Sequence, residues 1–173
     1  MDYVHLLGEA NGPVPARVMF IGEAPGRLGA ARTGAPFTRD QSGLRFRRLL
    51  EAGGLRREEV FVTNAVLCNP LRFGRNRAPG RREIANCAGW LRPQLDAVRP
   101  RFVVTLGTVG LEATRLIERH DFQLRHDVGR TLPWYGRTLV PLYHPSLRTA
   151  GRRPFVQQME DFRALGVTIR SRL

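Results

Sequence analysis

The segment Val18-Met19-Phe20-Ile21-Gly22-Glu23-Ala24-Pro25-Gly26 is the clearest indication of the fold, because an apolar run passes directly into glycine, an acid and proline. The apolar part predicts a buried strand over 16–21, and leucines interleaved with arginines predict an amphipathic helix over 41–52. The segment between them, residues 22–40, therefore follows the carboxyl end of a strand, where open α/β sheets bind their ligands. We call this segment the signature loop.

The signature loop has the composition of a binding site rather than that of a linker. Its glycines let backbone N–H groups approach a ligand closely. Glu23 and Asp40 add carboxylates, and Phe37 adds an aromatic ring.

Strands that alternate with helices along the chain predict a three-layer α/β/α sandwich with a central, mainly parallel four-stranded sheet. The other predicted strands are 60–66, 102–106 and 139–142, and the other predicted helices are 81–98, one from 107 onward, and 154–165. The connections are predicted as a loop at 71–80, a polar segment at 121–129, a hairpin at 129–141 and, near the start, a helical turn at 4–7. No linker divides the chain, so residues 1–173 are predicted to form one domain.

The basic residues are the unusual part of the composition. All 28 are arginine, and the formal net charge is +13. Guanidinium groups bind phosphate in a bidentate manner, and basic domains of this kind most often bind nucleic acid. A GC-rich genome would explain the missing lysine but not the shortage of acidic residues, so a nucleic-acid partner is favoured.

The rest of the composition excludes several classes of protein. Two cysteines, Cys68 and Cys87, are too few for a disulfide scaffold or a complete four-cysteine metal site. No apolar run approaches the ~20 residues of a membrane helix, and no signal peptide is recognisable. We therefore expect a cytoplasmic protein with reduced thiols and no membrane partner.

Notable side chains follow three of the predicted strands. The signature loop follows the first, Asn64 lies near the end of the second, and His144 follows the last. Each alone is commonly structural, since asparagine forms turns and a lone histidine packs. Because parallel strands end at one edge of a sheet, the three sets converge, and their convergence favours a functional site.

The segments Gly22-Glu23-Ala24-Pro25-Gly26, Gly34-Ala35-Pro36-Phe37 and His144-Pro145-Ser146 resemble the uracil-DNA glycosylase superfamily. The first is similar to family 4, whereas 29–43 and Asn64-Ala65-Val66 are more similar to family 5. The resemblance covers residues 18–146. It implies the α/β/α fold, uracil-containing DNA as the partner, and excision of uracil, or of other deaminated bases, by hydrolysis of the N-glycosidic bond in base excision repair.

The resemblance implies how the base would be bound. Such enzymes flip the target nucleotide out of the duplex into a pocket. Phe37 would stack on the uracil, and the Asn64 carboxamide would pair with the uracil edge. The backbone at Gly22 and Glu23, with Ala24 beside it, would line the floor of the pocket.

The resemblance also implies the catalytic groups. His144 would donate a hydrogen bond to uracil O2 as negative charge develops on the leaving base. Asp40, which matches an acid of family 5, would orient water or stabilise the oxocarbenium-like sugar. Glu23 is the competing acid, but family 4 has a further acid six residues after it, where this chain has Gly29. Asp40 is therefore favoured.

The DNA contacts would come from the segment around and after the histidine. Leu147 would enter the minor groove as an apolar wedge. The other predicted contacts are Ser42, Ser146, Arg148, Arg152 and Arg153. The alternative is a solvated basic loop.

Iron is where the chain departs from the resemblance. Families 4 and 5 hold a four-iron cluster with four cysteines, and Cys68 and Cys87 match only the later pair. We therefore expect no metal and no cofactor, with a cluster shared between two chains as the alternative. We also expect a monomer.

Two other functions stay open. One is a non-catalytic or covalently trapping DNA-binding relative; trapping uses a histidine in an inserted basic loop, and residues 71–82 contain none. The other is a nucleotide-binding enzyme on a flavodoxin-like sheet, which the absence of a G-x-G-x-x-G fingerprint disfavours.

Overall fold

The computed structural model describes residues 8–172, and the helical turn predicted at 4–7 lies outside them. The strands are β1 Val18–Gly22, β2 Val60–Asn64, β3 Leu71–Arg72, β4 Arg75–Asn76, β5 Phe102–Leu106, β6 Leu132–Trp134 and β7 Arg137–Leu142. The α-helices are α1 Ala30–Thr33, α2 Gln41–Ala52, α3 Arg81–Val98, α4 Thr108–Arg115, α5 Leu124–Asp127 and α6 Phe155–Ser171.

A central sheet of five strands, in the order β2-β1-β5-β7-β6, organises the molecule. The first four strands of that order are parallel, and β6 pairs antiparallel with β7. The predicted α/β class with a mainly parallel sheet is confirmed. The sheet has one strand more than the four predicted, because the chain turns back at Tyr135-Gly136 and adds β6 at the edge.

The side chains of β1 point alternately to the two faces of the sheet, and they belong to two apolar layers. Met19 and Ile21 belong to the core on the α3 and α4 side of the sheet. Val18 and Phe20 belong to the core on the α2 and α6 side. All four side chains are buried, as expected for a central parallel strand covered on both faces.

Three predicted segments differ from the structure. The segment predicted as a loop at 71–80 contains the β3–β4 hairpin, and the polar connection at 121–129 contains α5. Helix α6 extends to Ser171 rather than ending at residue 165. Gly166 does not stop α6. It lets the helix approach α2, because a Cβ at Gly166 would lie 1.9 Å from the Gly53 carbonyl oxygen.

The pairing brings the strand ends together. Gly22 of β1 is in register with Asn64 of β2, and β5 and β7 end at the same edge. The signature loop and the residues after β7 therefore meet at one edge of the sheet. No helix within residues 8–172 has both the length and the apolar character needed to cross a membrane.

Candidate active site

A cavity of about 280 Å³ opens at the carboxyl edge of the sheet. Five segments line it: the signature loop, the start of α2, the end of β2, the β3–β4 hairpin region and the residues after β7. The lining residues are Glu23, Ala24, Pro25, Gly26, Phe37, Asp40, Ser42, Asn64, Pro70, Asn76, Arg77, His144, Ser146 and Arg148. Most of the predicted site residues are thus brought together.

Phe37 and Asn64 meet at Gly22. A Cβ on Gly22 would lie 2.5 Å from Asn64 Oδ1 and 2.8 Å from the Phe37 ring, so only glycine fits there. The Phe37 ring packs on Phe46, with 4.6 Å between ring centroids. Asn64 is 4% exposed, and within residues 8–172 its side chain has no hydrogen-bond partner. A buried carboxamide facing a cavity in this way is available for a ligand with a donor and an acceptor.

Asp40 precedes the first residue of α2, and its two carboxylate oxygens have different neighbours. Oδ1 accepts a hydrogen bond of 2.8 Å from the Gly43 backbone N–H and caps the helix. Oδ2 points towards Gly26 and Gly29, where added Cβ atoms would lie 2.7 and 2.6 Å from it. The carboxylate therefore occupies the space that a side chain at position 29 would need.

His144 is held as a neutral ring with a defined tautomer. Burial, and secondarily the charge of Arg148, lowers the pKa of His144 to about 4. The Ser146 backbone N–H donates to His144 Nδ1 at 3.1 Å, so Nδ1 carries no proton. In the neutral imidazole the proton is then on Nε2, which makes Nε2–H a hydrogen-bond donor. The His144 and Phe37 ring centroids lie 5.5 Å apart.

The segment that carries His144 is supported from two sides. Arg45 of α2 donates from Nε to the Pro145 carbonyl oxygen at 2.6 Å and lies 4.1 Å over the Phe155 ring. The Thr149 hydroxyl lies 2.7 Å from the His144 carbonyl oxygen and 2.8 Å from that of Ser146. Arg45 therefore links the helix that begins beside Asp40 to the segment of His144.

Glu23 and Arg148 form an ion pair at the mouth of the cavity. Arg148 Nη2 lies 3.2 Å from Glu23 Oε1, and the Arg148 side chain is 64% exposed. Glu23 is thus already paired within the protein, whereas Asp40 has no ion-pair partner within residues 8–172.

The other predicted DNA contacts divide into two groups. Ser42 and Ser146 line the cavity, and Leu147 next to it is 61% exposed. Arg152 lies outside this cavity, on a neighbouring groove. Arg153 also lies outside it, and its guanidinium forms a two-pronged ion pair with Asp161 of α6, which raises the pKa of Arg153.

Asn76 and Arg77 also line the cavity, and neither was predicted from the sequence as a site residue. The Asn76 side-chain oxygen accepts from the Arg27 backbone N–H at 3.0 Å, which ties the hairpin to the signature loop. Arg77 makes two hydrogen bonds of 2.6 Å to Glu83, and these lower the pKa of Glu83 to about 2. The sequence around them is a run of arginines on either side of Gly74, which a loop explains equally well.

The two cysteines do not by themselves fit a four-iron cluster. Cys68 and Cys87 are free and half-buried, and burial, together with the nearby Cys87, raises the pKa of Cys68. A cluster needs four thiolates, and the chain has two cysteines. Within the described part of the chain, no group of three or more histidine, cysteine or acidic side chains could hold a metal ion.

The fold and the cavity define an α/β protein with a ligand site at the carboxyl edge of its sheet. Comparison with solved structures supports that fold: SMUG2 from Pedobacter heparinus superposes with a TM-score of 0.58 at 15% identity, over 90% of this chain and 75% of that one. The family model of the uracil DNA glycosylase superfamily matches residues 10–163.

Sequence comparison finds relatives of two types. The type-4 uracil-DNA glycosylase of Archaeoglobus fulgidus is 40% identical over 156 residues, which is 87% of this chain and 76% of the relative. The type-4 enzyme of Sulfurisphaera tokodaii is 40% identical over 161 residues, or 88% and 71% of the two chains. The type-5 enzyme of Thermus thermophilus is 34% identical over 156 residues, or 78% and 69%. This chain belongs to the uracil-DNA glycosylase superfamily.

Proposed function

We propose that this protein is a monofunctional uracil-DNA glycosylase that hydrolyses the N-glycosidic bond of uracil in DNA, as a step of base excision repair. The observation that carries the proposal is the convergence, around one cavity of about 280 Å³, of an aromatic ring, a carboxamide, a carboxylate and a neutral imidazole donor. Membership of the superfamily and the names of its relatives support the same reaction.

The base is recognised by Phe37 and Asn64. The ring of Phe37 stacks on the extruded uracil, and the carboxamide of Asn64 donates to O4 and accepts from N3–H. Gly22 keeps the floor open, because any side chain there would collide with both groups. Ala24 and the backbone at Glu23 complete the wall of the pocket.

Departure of the base is assisted by His144. As the glycosidic bond breaks, its electron pair moves onto the uracil, and negative charge develops on O2. A neutral imidazole donating from Nε2 stabilises that charge without carrying a positive charge into the buried site in the ground state. The support on the segment of His144 from Arg45 and Thr149 fixes the direction of the donor.

Asp40 acts on the attacking water or on the oxocarbenium-like sugar. Its Oδ1 is held by the Gly43 N–H, and its side chain lines the cavity without an ion-pair partner within residues 8–172. A carboxylate in this state can accept a proton from an attacking water or stabilise the oxocarbenium-like sugar. Glu23 is the weaker candidate because Arg148 already neutralises it.

DNA is held beside the pocket by the residues after His144. Leu147 fills the gap that the extruded base leaves, and Ser42, Ser146, Arg148 and Arg152 are the proposed contacts to the backbone. Arg153, which is paired with Asp161, supports this segment from α6 instead of contacting a phosphate. The enzyme acts as a single-domain, cytoplasmic monomer and needs no iron–sulfur cluster. Iron analysis of protein purified without oxygen checks the last statement.

The reaction is tested with a duplex that carries one uracil, followed by hot alkali to cleave abasic sites. We expect strand cleavage by the wild type, and single-turnover rates about 10²-fold lower, or lower still, for His144→Ala and Asn64→Ala. Trp90→Ala, which removes an exposed ring from α3 outside the pocket lining, serves as the control and keeps the wild-type rate. No cleavage above background by the wild type on paired, mismatched and single-stranded uracil would refute the proposal.

A further inference from the structure

Phe73 is the most exposed large apolar side chain in residues 8–172, with 90% of its surface accessible. It lies at the tip of the β3–β4 hairpin, in which Arg72 pairs with Arg75 and leaves Phe73-Gly74 as the two-residue turn. The ring covers no core, so burial in the free protein does not explain it.

The turn itself does not favour phenylalanine. Phe73 has φ +49° and Gly74 φ +70°, the left-handed values of a type I′ hairpin turn. Asparagine, aspartate or glycine is preferred at the first of these positions, because other side chains are strained at positive φ. Phe73 is thus placed in a conformation that disfavours it and receives no burial in return.

A second turn of the same kind offers a comparison inside the molecule. Tyr135-Gly136 joins β6 to β7 with φ values of +48° and +64°. The Tyr135 ring is half-buried, 5.6 Å from the Trp134 ring and 4.9 Å from the Arg137 guanidinium. An aromatic residue at this turn position is therefore packed in one hairpin and bare in the other, so the bare ring is not a consequence of the turn type.

The surroundings of Phe73 are strongly basic. Between residues 70 and 82 there are five arginines and no acid: Arg72, Arg75, Arg77, Arg81 and Arg82. Arg72 lies 5.4 Å from the Phe73 ring, and Arg72 and Arg75 are exposed. A bare ring among exposed guanidinium groups suits a polyanion with flat apolar faces, which describes nucleic acid with unstacked bases.

The hairpin is held in place beside the pocket. At its base, Pro70, Asn76 and Arg77 line the cavity. The Asn76 bond to the Arg27 N–H joins the hairpin to the signature loop, and the Arg77–Glu83 pair joins it to α3. The tip that carries Phe73 is therefore positioned by the same segments that form the pocket.

We propose that Phe73 stacks on a nucleobase of the DNA beside the extruded nucleotide, as a second apolar contact supplied by a different element from Leu147. The inference rests on the proposed function for the identity of the extruded nucleotide. The contact itself requires only that the protein binds DNA. Arg72 and Arg75 pair with the phosphates on either side of the stacked base.

The test uses binding to a duplex with a tetrahydrofuran abasic-site analogue, which cannot be hydrolysed. Phe73→Asn places a favoured residue in the turn, so we expect the Tm to be retained or raised. The same substitution should weaken Kd on the order of 10-fold, because loss of one base–aromatic stack has that effect. Phe73→Tyr keeps the ring and should bind as the wild type does.

Tyr135→Asn is the matched control in the other turn, and we expect it to lower Tm and leave Kd unchanged. A second measurement replaces Phe73 with the photoreactive p-benzoylphenylalanine; crosslinks should fall on nucleotides next to the analogue. Unchanged Kd for Phe73→Asn, or crosslinks spread evenly along the duplex, would overturn the inference. Because neither readout needs catalysis, failure here is distinct from failure of uracil excision.

Discussion

The protonation state and tautomer of His144 are set by its burial and by its hydrogen bond with the Ser146 N–H. Burial disfavours the charged ring, and the Ser146 N–H occupies the lone pair of Nδ1. Protonation would break that bond as well as place a charge on a half-buried ring. The residue is therefore suited to donate from Nε2 throughout the neutral range.

This state predicts a pH dependence for His144. With a folded pKa of about 4 against an ordinary value of 6.5, the ring stays neutral from pH 5 to 8. The unfolded chain binds the proton first as the pH falls, so stability from this group is complete above about pH 6.5 and is lost on acidification towards pH 4. Nitrogen-15 NMR of the imidazole should show an unprotonated Nδ1 and a protonated Nε2 from pH 5 to 8. Titration of His144 near pH 6.5 would contradict the assignment.

Two single substitutions distinguish Asp40 from Glu23 as the carboxylate that acts on the attacking water. Asparagine caps helices as well as aspartate does, so Asp40→Asn should leave Tm almost unchanged. It should lower kcat about 10²-fold or more, because the carboxylate that orients the attacking water is lost. Glu23→Gln removes only a partly exposed ion pair, and we expect less than about a tenfold change. Single-turnover kinetics with both variants makes the comparison, and the reverse order of effects would transfer the role to Glu23.

Among the helices and strands, those with a clear apolar periodicity were predicted correctly from the sequence. Helix α2 and strand β5 have the predicted bounds, because apolar spacing determines both. The two-residue strands of the β3–β4 hairpin were predicted as loop, since two residues give no periodicity to detect. The pocket wall that Asn76 and Arg77 form depends on that hairpin, so it could not be predicted either.

The sequence likewise did not predict which side chains form ion pairs or long-range hydrogen bonds. The convergence of Phe37, Asn64 and His144 follows from parallel strand order and was predicted. The ion pairs Arg148–Glu23 and Arg153–Asp161 depend on how loops fold onto the sheet, which spacing along the chain does not specify. The role of Arg45 was missed for the same reason, because its partner, the Pro145 carbonyl oxygen, is 100 residues away.

For the whole molecule, a net charge of +13 predicts DNA binding that weakens steeply with salt. Each phosphate contact adds about 0.9 to the slope of log K against log salt. Arg152 is exposed and has no ion-pair partner within residues 8–172, so Arg152→Ala should reduce the slope by about one. Arg153 is paired with Asp161, so Arg153→Ala should lower Tm and leave the slope nearly unchanged. Kd measured at several salt concentrations separates the two, and equal slopes for both variants would contradict this division.

Mass spectrometry of a complete reaction with uracil-containing duplex distinguishes hydrolysis of the glycosidic bond from binding without reaction and from covalent trapping. It compares the amount of free uracil, the abasic DNA and the mass of the intact protein. We predict one free uracil for each abasic site and a protein of unchanged mass. DNA that retains its uracil, or a protein whose mass has increased by that of the bound strand, would contradict the hydrolytic account.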